Sequence, residues 1–496
     1  MVKVKQKPVL GLGQWSVIIN NGRWRPRDFD IIIIEFLNYA MQGKISKLMV
    51  GVPPRHGKST LISRNFCSYF MTHFPNEKVI LSSYSQDLAQ NFGSEVKGIV
   101  DTYGYLAPHN VKLSKHSKAN TKFKINEPYE GRMLSVGAGG SILGFGAGLF
   151  IIDDPIKNVA EAESELMQGR LQEWFGGTAK TRLEKRTNGL PPIMIVIAQR
   201  LHVNDLQGII KATEPYMDAK EAIEILRNGG TIDPNVWVDL NLPAICEFPE
   251  KDLLGRKKGE VLWAEQRDAT WLNAERKAMG SYLFNSIYQG NPHERDGYIF
   301  KRAWFYDENT GLPDCILTPE EIPQDLPKLR YWDFAANAKR GGRREGDETS
   351  GVLTGFDGET IYVLDLINSN FTANEVTKVF DRTLRKDGRY VDVRIEEEPG
   401  SGSRILIEKF MHDPEYRRFR IRGDKVRYPK NVRSFTLEGI CENRNFKMIE
   451  APWNQKVLDQ LISFTGVDGE SDDIVDSLTG STNIWCKPRT KLIVGG

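Results

Sequence analysis

The sequence predicts an α/β fold made of two packed α/β domains that are joined by a small linker region. In the first half, short apolar strands alternate with polar, helix-prone stretches. This alternation is typical of a parallel sheet with helices on both faces. A charged, aromatic-rich stretch follows at 250–310, and strands then return from Lys328 onwards. We therefore predict a first domain at 1–245, a lid or linker region at 246–310 and a second domain at 311–496.

The predicted elements of the first half come in a regular order. Its apolar strands are 47–52, 78–82, 148–152 and 193–198, and the helix-prone stretches between them include 60–73 and 87–100. The predicted strands of the second half are 329–334, 351–356, 360–366 and 391–396. The first three of these form a predicted meander, in which Asp357-Gly358 makes the hairpin turn.

The composition is that of an ordinary globular protein. The chain has 496 residues, of which 40% are apolar and 27% charged, which excludes a wholly disordered, collagenous or membrane-embedded chain. Lys plus Arg number 67 and Asp plus Glu 65, so any basic surface for nucleic acid must be local. The five cysteines are scattered without a Cys-x-x-Cys pair, which favours reduced thiols and a cytosolic location. The apolar runs are too short for a membrane span, and the N-terminus lacks the pattern of a signal peptide.

A phosphate-binding loop is predicted at 53–60, where Pro-Pro-Arg-His-Gly-Lys-Ser-Thr lies between a strand and a helix. Gly57-Lys58-Ser59 has the pattern that ends a Walker A loop, although Val52 stands where the usual pattern has its first glycine. Lys58 would neutralise the β- and γ-phosphates, and Ser59 would ligate Mg²⁺. A chance Gly-Lys-Ser at a helix N-terminus is the alternative. The candidate ATP-binding residues of this loop are Pro54, Arg55, His56, Gly57, Lys58, Ser59 and Thr60.

The apolar run at 149–152 ends in two carboxylates, Asp153 and Asp154, as a Walker B strand does. We expect Asp153 to hold Mg²⁺ through water and to belong to the ATP-binding residues. Asp154 occupies the place where many such ATPases have a glutamate that activates the attacking water. Because Asp is one methylene shorter than Glu, this role needs a compensating geometry. The alternative is a pair of strand-end carboxylates that cap the next turn.

Phosphoryl transfer also requires a positive charge near the developing charge on the γ-phosphate. Arg55, within the loop, is the candidate for this catalytic role, and Arg132 and Arg182 are weaker candidates. Gln199 follows the last predicted strand of the first half, where a polar side chain can sense the γ-phosphate. We therefore include Gln199 among the ATP-binding residues.

Three acidic clusters lie in the second half. Asp333 lies inside an apolar strand, Glu396 lies on an alternating strand, and Asp473 belongs to an Asp-Asp-x-x-Asp sequence that heads a short helix. Isolated carboxylates on strands are costly unless they are paired or bind a metal. A shared site for two divalent cations about 4 Å apart would suit phosphodiester hydrolysis, and solvated surface charges or helix N-caps are the alternative. Asp333, Glu396 and Asp473 are the predicted core catalytic ligands. The second-choice metal ligands are Asp347, Asp472 and Asp476.

Two local basic features accompany these carboxylates. A glycine-softened loop just after Asp333 contains Lys339, Arg340, Arg343 and Arg344. The stretch 417–433 holds eight Lys or Arg residues against one Asp, and Lys425 and Arg427 are our candidates within it. Such patches suit the phosphate backbone of DNA beside a nuclease site, with a solvated charged face as the alternative.

Short stretches spread along nearly the whole chain resemble the large terminase subunit of tailed double-stranded DNA bacteriophages. The matching stretches are 53–60, 149–155, 181–183, 197–208, 242–245, 280–292, 331–334, 395–400 and 472–478. The Pro-Pro-Arg-His-Gly-Lys-Ser loop, the Asp-Asp-Pro Walker B sequence and the C-terminal Asp-Asp-x-x-Asp are together specific. No single stretch is decisive.

The resemblance implies a packaging motor with two activities. An N-terminal P-loop ATPase, using ATP and Mg²⁺, would translocate double-stranded DNA into an empty procapsid. A C-terminal RNase H/RuvC-like nuclease would cut concatemeric DNA with Mg²⁺ or Mn²⁺, using two ions. The implied partners are the portal protein, a small terminase subunit and further copies of the chain in a ring, a pentamer. The implied location is the host cytoplasm and, transiently, the portal vertex, with no membrane partner and no place in the mature virion.

The chain departs from the family pattern at two places. Relatives often carry Gly-Arg-Gly before Walker B, where this chain has Gly144-Phe145-Gly146, so a trans-acting arginine must come from elsewhere. Arg55 lies three residues before Lys58, whereas in other relatives the loop arginine lies four residues before the lysine. Two alternative functions remain: an ATP-dependent translocase-nuclease of DNA repair or restriction, and a DNA-binding scaffold whose RNase H-like domain is catalytically dead.

Overall fold

The structure is a computed structural model that divides into two compact units. It describes residues 10–115, 119, 121–142, 144–292, 298–334, 348–397, 408, 410, 413–426, 428–466 and 472–487. The first unit comprises Met1–Leu272 and Tyr282–Glu294, and the second comprises Asn273–Ser281 and Arg295–Gly496. The domain boundaries that the sequence suggested, with a separate lid or linker region at 246–310, stay a prediction.

The first unit is built on an eight-stranded sheet. Its strands are β1 (Lys47–Gly51), β2 (Lys78–Ser83), β3 (Lys122–Lys124), β4 (Arg132–Gly137), β5 (Leu149–Asp153), β6 (Ile193–Ala198), β7 (Tyr216–Asp218) and β8 (Trp237–Asn241). The strand order is β3-β4-β2-β5-β6-β1-β8-β7, and every neighbouring pair is parallel except β3 and β4. The four strands predicted for the first half are therefore confirmed as the centre of this sheet, and one antiparallel strand lies at its edge.

Helices cover both faces of this sheet, as predicted. They are α1 (Leu12–Ile19), α2 (Asp28–Met41), α3 (Cys67–His73), α4 (Gln86–Tyr103), α5 (Val159–Ala162), α6 (Glu165–Trp174), α7 (Leu206–Thr213) and α8 (Ala219–Arg227). The next helix, α9 (Ala269–Ile287), has residues in both units. Successive strand residues point to opposite faces. Leu48 and Val50 join the core beneath α1 to α4 and α8, whereas Met49 joins the core beneath α6 and α7.

The second unit contains a seven-stranded mixed sheet. Its strands are β9 (Ile316–Leu317), β10 (Lys328–Asp333), β11 (Thr349–Phe356), β12 (Ile361–Ser369), β13 (Asp392–Glu397), β14 (Arg420–Lys425) and β15 (Phe446–Ile449), in the order β14-β13-β10-β11-β12-β15-β9. β10, β11 and β12 form the predicted antiparallel meander. Asp357 shapes its turn, since its Oδ1 accepts bonds from the backbone amides of Glu359 and Thr360.

The helices of the second unit pack on this sheet and enclose its core. They are α10 (Ala373–Asp387), α11 (Lys430–Arg433), α12 (Phe435–Glu442), α13 (Asn454–Ser463) and α14 (Asp473–Trp485). α14 contacts β10 and β11. Asp473, its first residue, accepts a bond from the Glu348 amide just before β11, and the start of β11 lies beside the end of β10, with Asp333 in register with Ser350. In the part of the chain that is described, none of the helices combines the length and apolar character needed to cross a bilayer.

Candidate functional site

The predicted phosphate loop connects the end of β1 to a helical turn that begins at Thr60. Arg55 and Gly57 have positive φ values of 64° and 82°, the left-handed backbone conformation that also occurs in anion-binding nests. The Lys58 side chain is 8% exposed, and its Nζ lies 3.5 Å from Oδ2 of Asp154. The loop therefore has the shape and the buried cation that a phosphate-binding site needs.

Asp153, the last residue of β5, accepts hydrogen bonds from Ser59 of the loop and from Ser63 of the helical segment that follows it. The Ser59 hydroxyl donates to Oδ1 over 3.1 Å, and the Ser63 hydroxyl donates to Oδ2 over 2.5 Å. Burial and the neighbouring Asp154 raise the pKa of Asp153 to about 7. A serine hydroxyl beside an aspartate is an oxygen donor pair of the kind that Mg²⁺ binds. Sequence reasoning missed Ser63, although it lies four residues after Ser59 and thus on the same helical face.

Asp154 directly follows β5, and its side chain contacts Lys58 of the loop. Its φ of 43° lies in the left-handed region, and its Oδ1 accepts a 2.8 Å hydrogen bond from the Gln199 backbone amide. The contact of Gln199 with Asp154 is thus made by its backbone. The next residue, Arg200, forms a buried ion pair with Asp205 and has a structural partner. The carboxylate of Asp154 is held between an amide and the Lys58 ammonium.

The structure places the three candidate arginines differently. Arg55 is exposed within the loop. Arg132 begins β4 and is in register with Lys78 at the start of β2, and the Arg182 carbonyl accepts a bond from Ala147, just before β5. Both residues therefore lie at the amino ends of parallel strands, whereas the phosphate loop follows the carboxyl end of β1. The structure does not bring Arg132 or Arg182 to the loop.

Arg27, which the sequence analysis did not identify, forms a hydrogen bond to the backbone of the loop. Nη2 of Arg27 donates a 3.0 Å hydrogen bond to the His56 carbonyl, and its guanidinium lies 4.4 Å and 4.2 Å from the ring centroids of Phe29 and Trp263. The His56 ring is buried, its Nδ1 lies 2.9 Å from the Pro54 carbonyl, and burial lowers its pKa to about 4. His56 is therefore neutral at pH 7, and its part in the loop is structural support.

The three predicted acidic clusters of the second unit come to one edge of its sheet. β10 ends at Asp333, and β13 runs parallel to it with Trp332 in register with Ile395. Asp333 and Glu396 each follow this registered pair and so lie side by side at the carboxyl ends of the two strands. Asp473 begins α14, which packs on β10. The predicted convergence of these clusters thus has a geometric basis.

Two basic residues of α11 form ion pairs with Glu396 and with two further carboxylates, Asp472 and Asp476. Nη1 of Arg433 lies 3.0 and 3.2 Å from the two carboxylate oxygens of Glu396, and Nη2 lies 3.0 Å from Oδ1 of Asp476. Nζ of Lys430 lies 2.7 Å from both oxygens of Asp472 and 2.8 Å from Oδ2 of Asp476. Glu396, Asp472 and Asp476 are all buried. Both basic residues belong to the stretch 417–433, but they pair with these buried carboxylates.

Asp333 and Asp473, the other two predicted core ligands, also interact with neighbouring groups. Burial opposes the charge of Arg433, but Glu396, Asp476, Tyr331 and Asp333 raise its pKa. Asp473 accepts a 3.2 Å hydrogen bond from the Glu348 backbone amide. Across the described ranges, no set of three or more His, Cys, Asp or Glu side chains is arranged to hold a metal ion. The donor chemistry fits a divalent cation, but the carboxylates are arranged around Arg433 and Lys430.

Tyr331 and Asp424 also touch the cluster, and neither was predicted as a site residue. The Tyr331 hydroxyl lies 3.3 Å from Oε2 of Glu396 and 3.1 Å from Oδ2 of Asp424. Burial and these two carboxylates raise the pKa of Tyr331 well above its usual range, so the hydroxyl stays protonated. Its ring packs against Gly480 of α14, where an added Cβ would lie 2.1 Å from Cζ. Residues 331 and 333 are two positions apart on one strand, so their side chains lie on the same face of the sheet. This alternation could have identified Tyr331 as a neighbour of the site.

The candidate DNA-binding residues are only partly described. Lys425 is exposed at the end of β14. The same stretch carries four further exposed arginines, namely Arg417, Arg418, Arg420 and Arg422. The remaining candidates lie outside the described residues, as does the second-choice ligand Asp347; they are Lys339, Arg340, Arg343, Arg344 and Arg427. The exposed part of the stretch keeps the basic surface that the sequence suggested.

Comparisons with known proteins match both units. Residues 49–174 match the family described as terminase large subunit, T4likevirus-type, N-terminal, and residues 330–482 match the terminase RNaseH-like domain. The large terminase of a thermophilic bacteriophage is similar in fold, with a TM-score of 0.50 and 10% identity, over 91% of this chain and 98% of that one. The search of curated proteins gives no match.

Two further solved structures match this chain with TM-scores below 0.5. The HK97 bacteriophage large terminase has a TM-score of 0.35 and 13% identity, over 96% of this chain and 100% of that chain. The P22 large terminase nuclease domain has a TM-score of 0.26 and 14% identity, over 38% of this chain and 92% of its own. The two family models together span more than half of the chain and agree with its two sheets. The chain therefore belongs to the terminase large-subunit family.

Proposed function

We propose that this chain is a viral DNA-packaging motor. ATP hydrolysis in the first unit drives double-stranded DNA into a procapsid, and a metal-dependent endonuclease in the second unit cuts concatemeric DNA. The observation that carries the proposal is the placement of Ser59 against Asp153 and Lys58 against Asp154 at the carboxyl edge of the first sheet. The convergence of acidic residues on one edge of the second sheet supports the nuclease part.

In the first unit, the residues of the loop take the roles that their positions allow. The left-handed backbone at Arg55 and Gly57 aims amides at phosphate oxygens, and the buried Lys58 ammonium neutralises the β- and γ-phosphates. Ser59 and Asp153 would hold Mg²⁺, which when bound offsets the charge developing on the phosphates. Pro54, His56 and Thr60 complete the loop.

Asp154 is the proposed general base of ATP hydrolysis. The Gln199 amide fixes its Oδ1, and its side chain remains 32% exposed, so a water molecule can reach the other oxygen. Asp154 has a positive φ, and its Oδ2 lies 3.5 Å from Nζ of Lys58; this placement is the proposed compensating geometry for the shorter aspartate. Arg55, exposed in the loop, is the proposed source of positive charge for the transition state.

In the second unit, Asp333, Glu396 and Asp473 are the proposed catalytic ligands for Mg²⁺ or Mn²⁺. Asp472 and Asp476 would complete the site, and two bound ions supply an activated water and a stabilised leaving oxygen. Lys425 lies exposed on the strand next to Glu396, where a DNA phosphate can be held without displacing a buried partner. Lys339, Arg340, Arg343, Arg344 and Arg427 are the further proposed DNA contacts.

The proposed partners follow from the packaging role. They are double-stranded DNA, the portal protein, a small terminase subunit and further copies of this chain in a ring, proposed to be a pentamer. The proposed location is the host cytoplasm and, during packaging, the portal vertex of the procapsid.

Two experiments test the proposed function. The first is supercoiled-plasmid cleavage with Mn²⁺, in which wild type should cut and a folded Asp333→Ala variant should not. Asp392→Ala is a matched control, because Asp392 starts the strand that carries Glu396 and pairs with Arg394. Equal cutting by wild type and Asp333→Ala would contradict the assignment of the nuclease site.

The second experiment tests packaging itself. The chain is mixed with ATP, linear DNA and portal-bearing procapsids of the same phage, and DNA that becomes resistant to added nuclease is measured. We expect ATP-dependent protection that is lost in Lys58→Ala. Strand separation by the chain without any binding to the portal would instead favour a translocase-nuclease of DNA repair or restriction.

A further inference from the structure

The two basic residues that form ion pairs with the carboxylates of the proposed nuclease site belong to one short helix. Lys430 and Arg433 are the first and last residues of α11, three positions apart, so their side chains leave the same side of the helix. Asp476 links them, since its Oδ1 lies 3.0 Å from Nη2 of Arg433 and its Oδ2 lies 2.8 Å from Nζ of Lys430. A movement of this single helix would remove both cations from the cluster together.

Burial makes these pairs different from ordinary surface ion pairs. The side chains of Glu396, Asp472 and Asp476 are 1%, 7% and 6% exposed, and that of Arg433 is 10% exposed. A buried carboxylate without a cationic or hydrogen-bonding partner is strongly destabilising. In the protein without metal, the positive charges of α11 therefore stabilise the carboxylates that the nuclease requires.

The same oxygen atoms are those proposed to bind the metal. Arg433 contacts both oxygens of Glu396, and Lys430 contacts both oxygens of Asp472, so these atoms are already coordinated by N–H donors. When ionised, the three buried carboxylates carry three negative charges against the two positive charges of α11. A divalent cation that enters must share these carboxylate oxygens with Lys430 and Arg433 or displace the two side chains from them.

We propose that α11 is an internal counter-ion clamp, in which Lys430 and Arg433 hold the nuclease carboxylates in the metal-free protein and compete with the divalent cation for them. Metal loading requires withdrawal of the Arg433 guanidinium from Glu396 and Asp476. The clamp rests on the proposed nuclease function and deepens it, because it keeps the site inactive until metal binding outweighs the buried ion pairs.

The direct test is Mn²⁺ binding to the full-length chain, measured by isothermal titration calorimetry. Arg433→Gln removes the charge but keeps a polar side chain. The control is Arg422→Gln, which removes an exposed charge from β14, the strand beside β13. The titrations are made at about 1 M salt, where the Debye length of roughly 3 Å suppresses long-range effects of charge. We expect Arg433→Gln to bind Mn²⁺ at least tenfold more tightly than wild type, and Arg422→Gln to differ by less than twofold.

A second readout follows the helix itself. The amides of Arg433 and Ser434 donate to the carbonyls of Pro429 and Lys430, so their hydrogen exchange reports on α11. Saturating Mn²⁺ should accelerate this exchange in wild type. If Arg433→Gln does not fold, Lys430→Met takes its place in the titration, because it keeps the methylene chain and removes the other cation.

The outcomes separate the clamp from the proposed nuclease. Equal Mn²⁺ affinity of Arg433→Gln and wild type, or unchanged exchange of α11 when Mn²⁺ binds, would overturn the clamp while leaving the metal site in place. An Asp333→Ala titration corrects for ions bound elsewhere on the chain. If wild type and Asp333→Ala bind Mn²⁺ identically, the proposed metal-dependent nuclease site itself is wrong.

Discussion

The Ser59 hydroxyl donates a 3.1 Å hydrogen bond to Oδ1 of Asp153, although the two residues are separated by 94 positions in the sequence. Ser59 follows β1 and Asp153 ends β5, and β6 lies between these strands in the sheet. The contact is made because all three strands are parallel and their carboxyl ends reach the same edge, where ligands bind in open α/β sheets. The geometry of one hydrogen bond thus depends on the topology of the whole sheet.

Removal of the loop lysine should separate the two activities. We expect Lys58→Ala to reduce ATP hydrolysis by about a hundredfold or more, since a buried positive charge is lost beside the phosphates. Metal-dependent plasmid cutting should remain, because the nuclease carboxylates lie in the other unit. Steady-state phosphate release measures the first effect, with the exposed Lys112→Ala as control. Full ATPase activity in Lys58→Ala would show that the phosphate-loop assignment is wrong.

The proposed base can be tested by an isosteric change. Asp154→Asn should lower the kcat of ATP hydrolysis by about 10²–10⁴-fold, the usual contribution of a general base. The amide oxygen of asparagine can still accept the bond from the Gln199 amide, so nucleotide affinity should change little. Turnover and binding of a fluorescent nucleotide are measured in parallel. A kcat within twofold of wild type would assign the base to another residue.

The central strands were predictable because of their burial. β1, β2, β5 and β6 are covered on both faces, so they read as continuous apolar runs in the sequence. β3 and β7 have three residues each, and both β7 ends are exposed, so neither gives a periodic signal. Short edge strands of this kind depend on their neighbours in the sheet and on little in their own sequence.

The acidic residues of the second site were predictable, and their partners were not. Asp333 and Glu396 stand on strands where an unpaired charge is costly, which marks them in the sequence. Lys430 and Arg433 lie in a run of basic residues that resembles an exposed nucleic-acid surface, and only the tertiary structure shows that these two turn inwards. The contact of Arg27 with the loop was not predicted either, because its aromatic partner Trp263 is distant in the chain and only the tertiary structure brings the two together.

The buried Asp153 should make stability depend on pH in the absence of Mg²⁺. Its pKa is raised from 3.8 to about 7, first by burial and then by Asp154, so the folded state prefers the protonated form. The stability that this preference contributes is full below about pH 4 and is lost as pH rises through 7. The Tm of Asp153→Asn minus that of wild type, measured in EDTA, should therefore increase from pH 5 to pH 8. The exposed Asp101→Asn should show no such trend, and a flat difference for Asp153→Asn would contradict the raised pKa.

The contact between α14 and β10 can be tested with a pair of helical glycines. A Cβ at Gly480 would lie 2.1 Å from Cζ of Tyr331, so Gly480→Ala should lower the free energy of unfolding by about 1–3 kcal/mol through overpacking. Gly98, within α4, has no neighbouring atom within 4 Å of an added Cβ, so Gly98→Ala should raise the free energy of unfolding by about 0.5–1 kcal/mol. Urea unfolding followed by tryptophan fluorescence measures both. The two changes in the free energy of unfolding should have opposite signs, because helix propensity favours alanine at both positions and only the Tyr331 ring at Gly480 opposes it. A stabilised Gly480→Ala would mean that α14 does not pack on Tyr331.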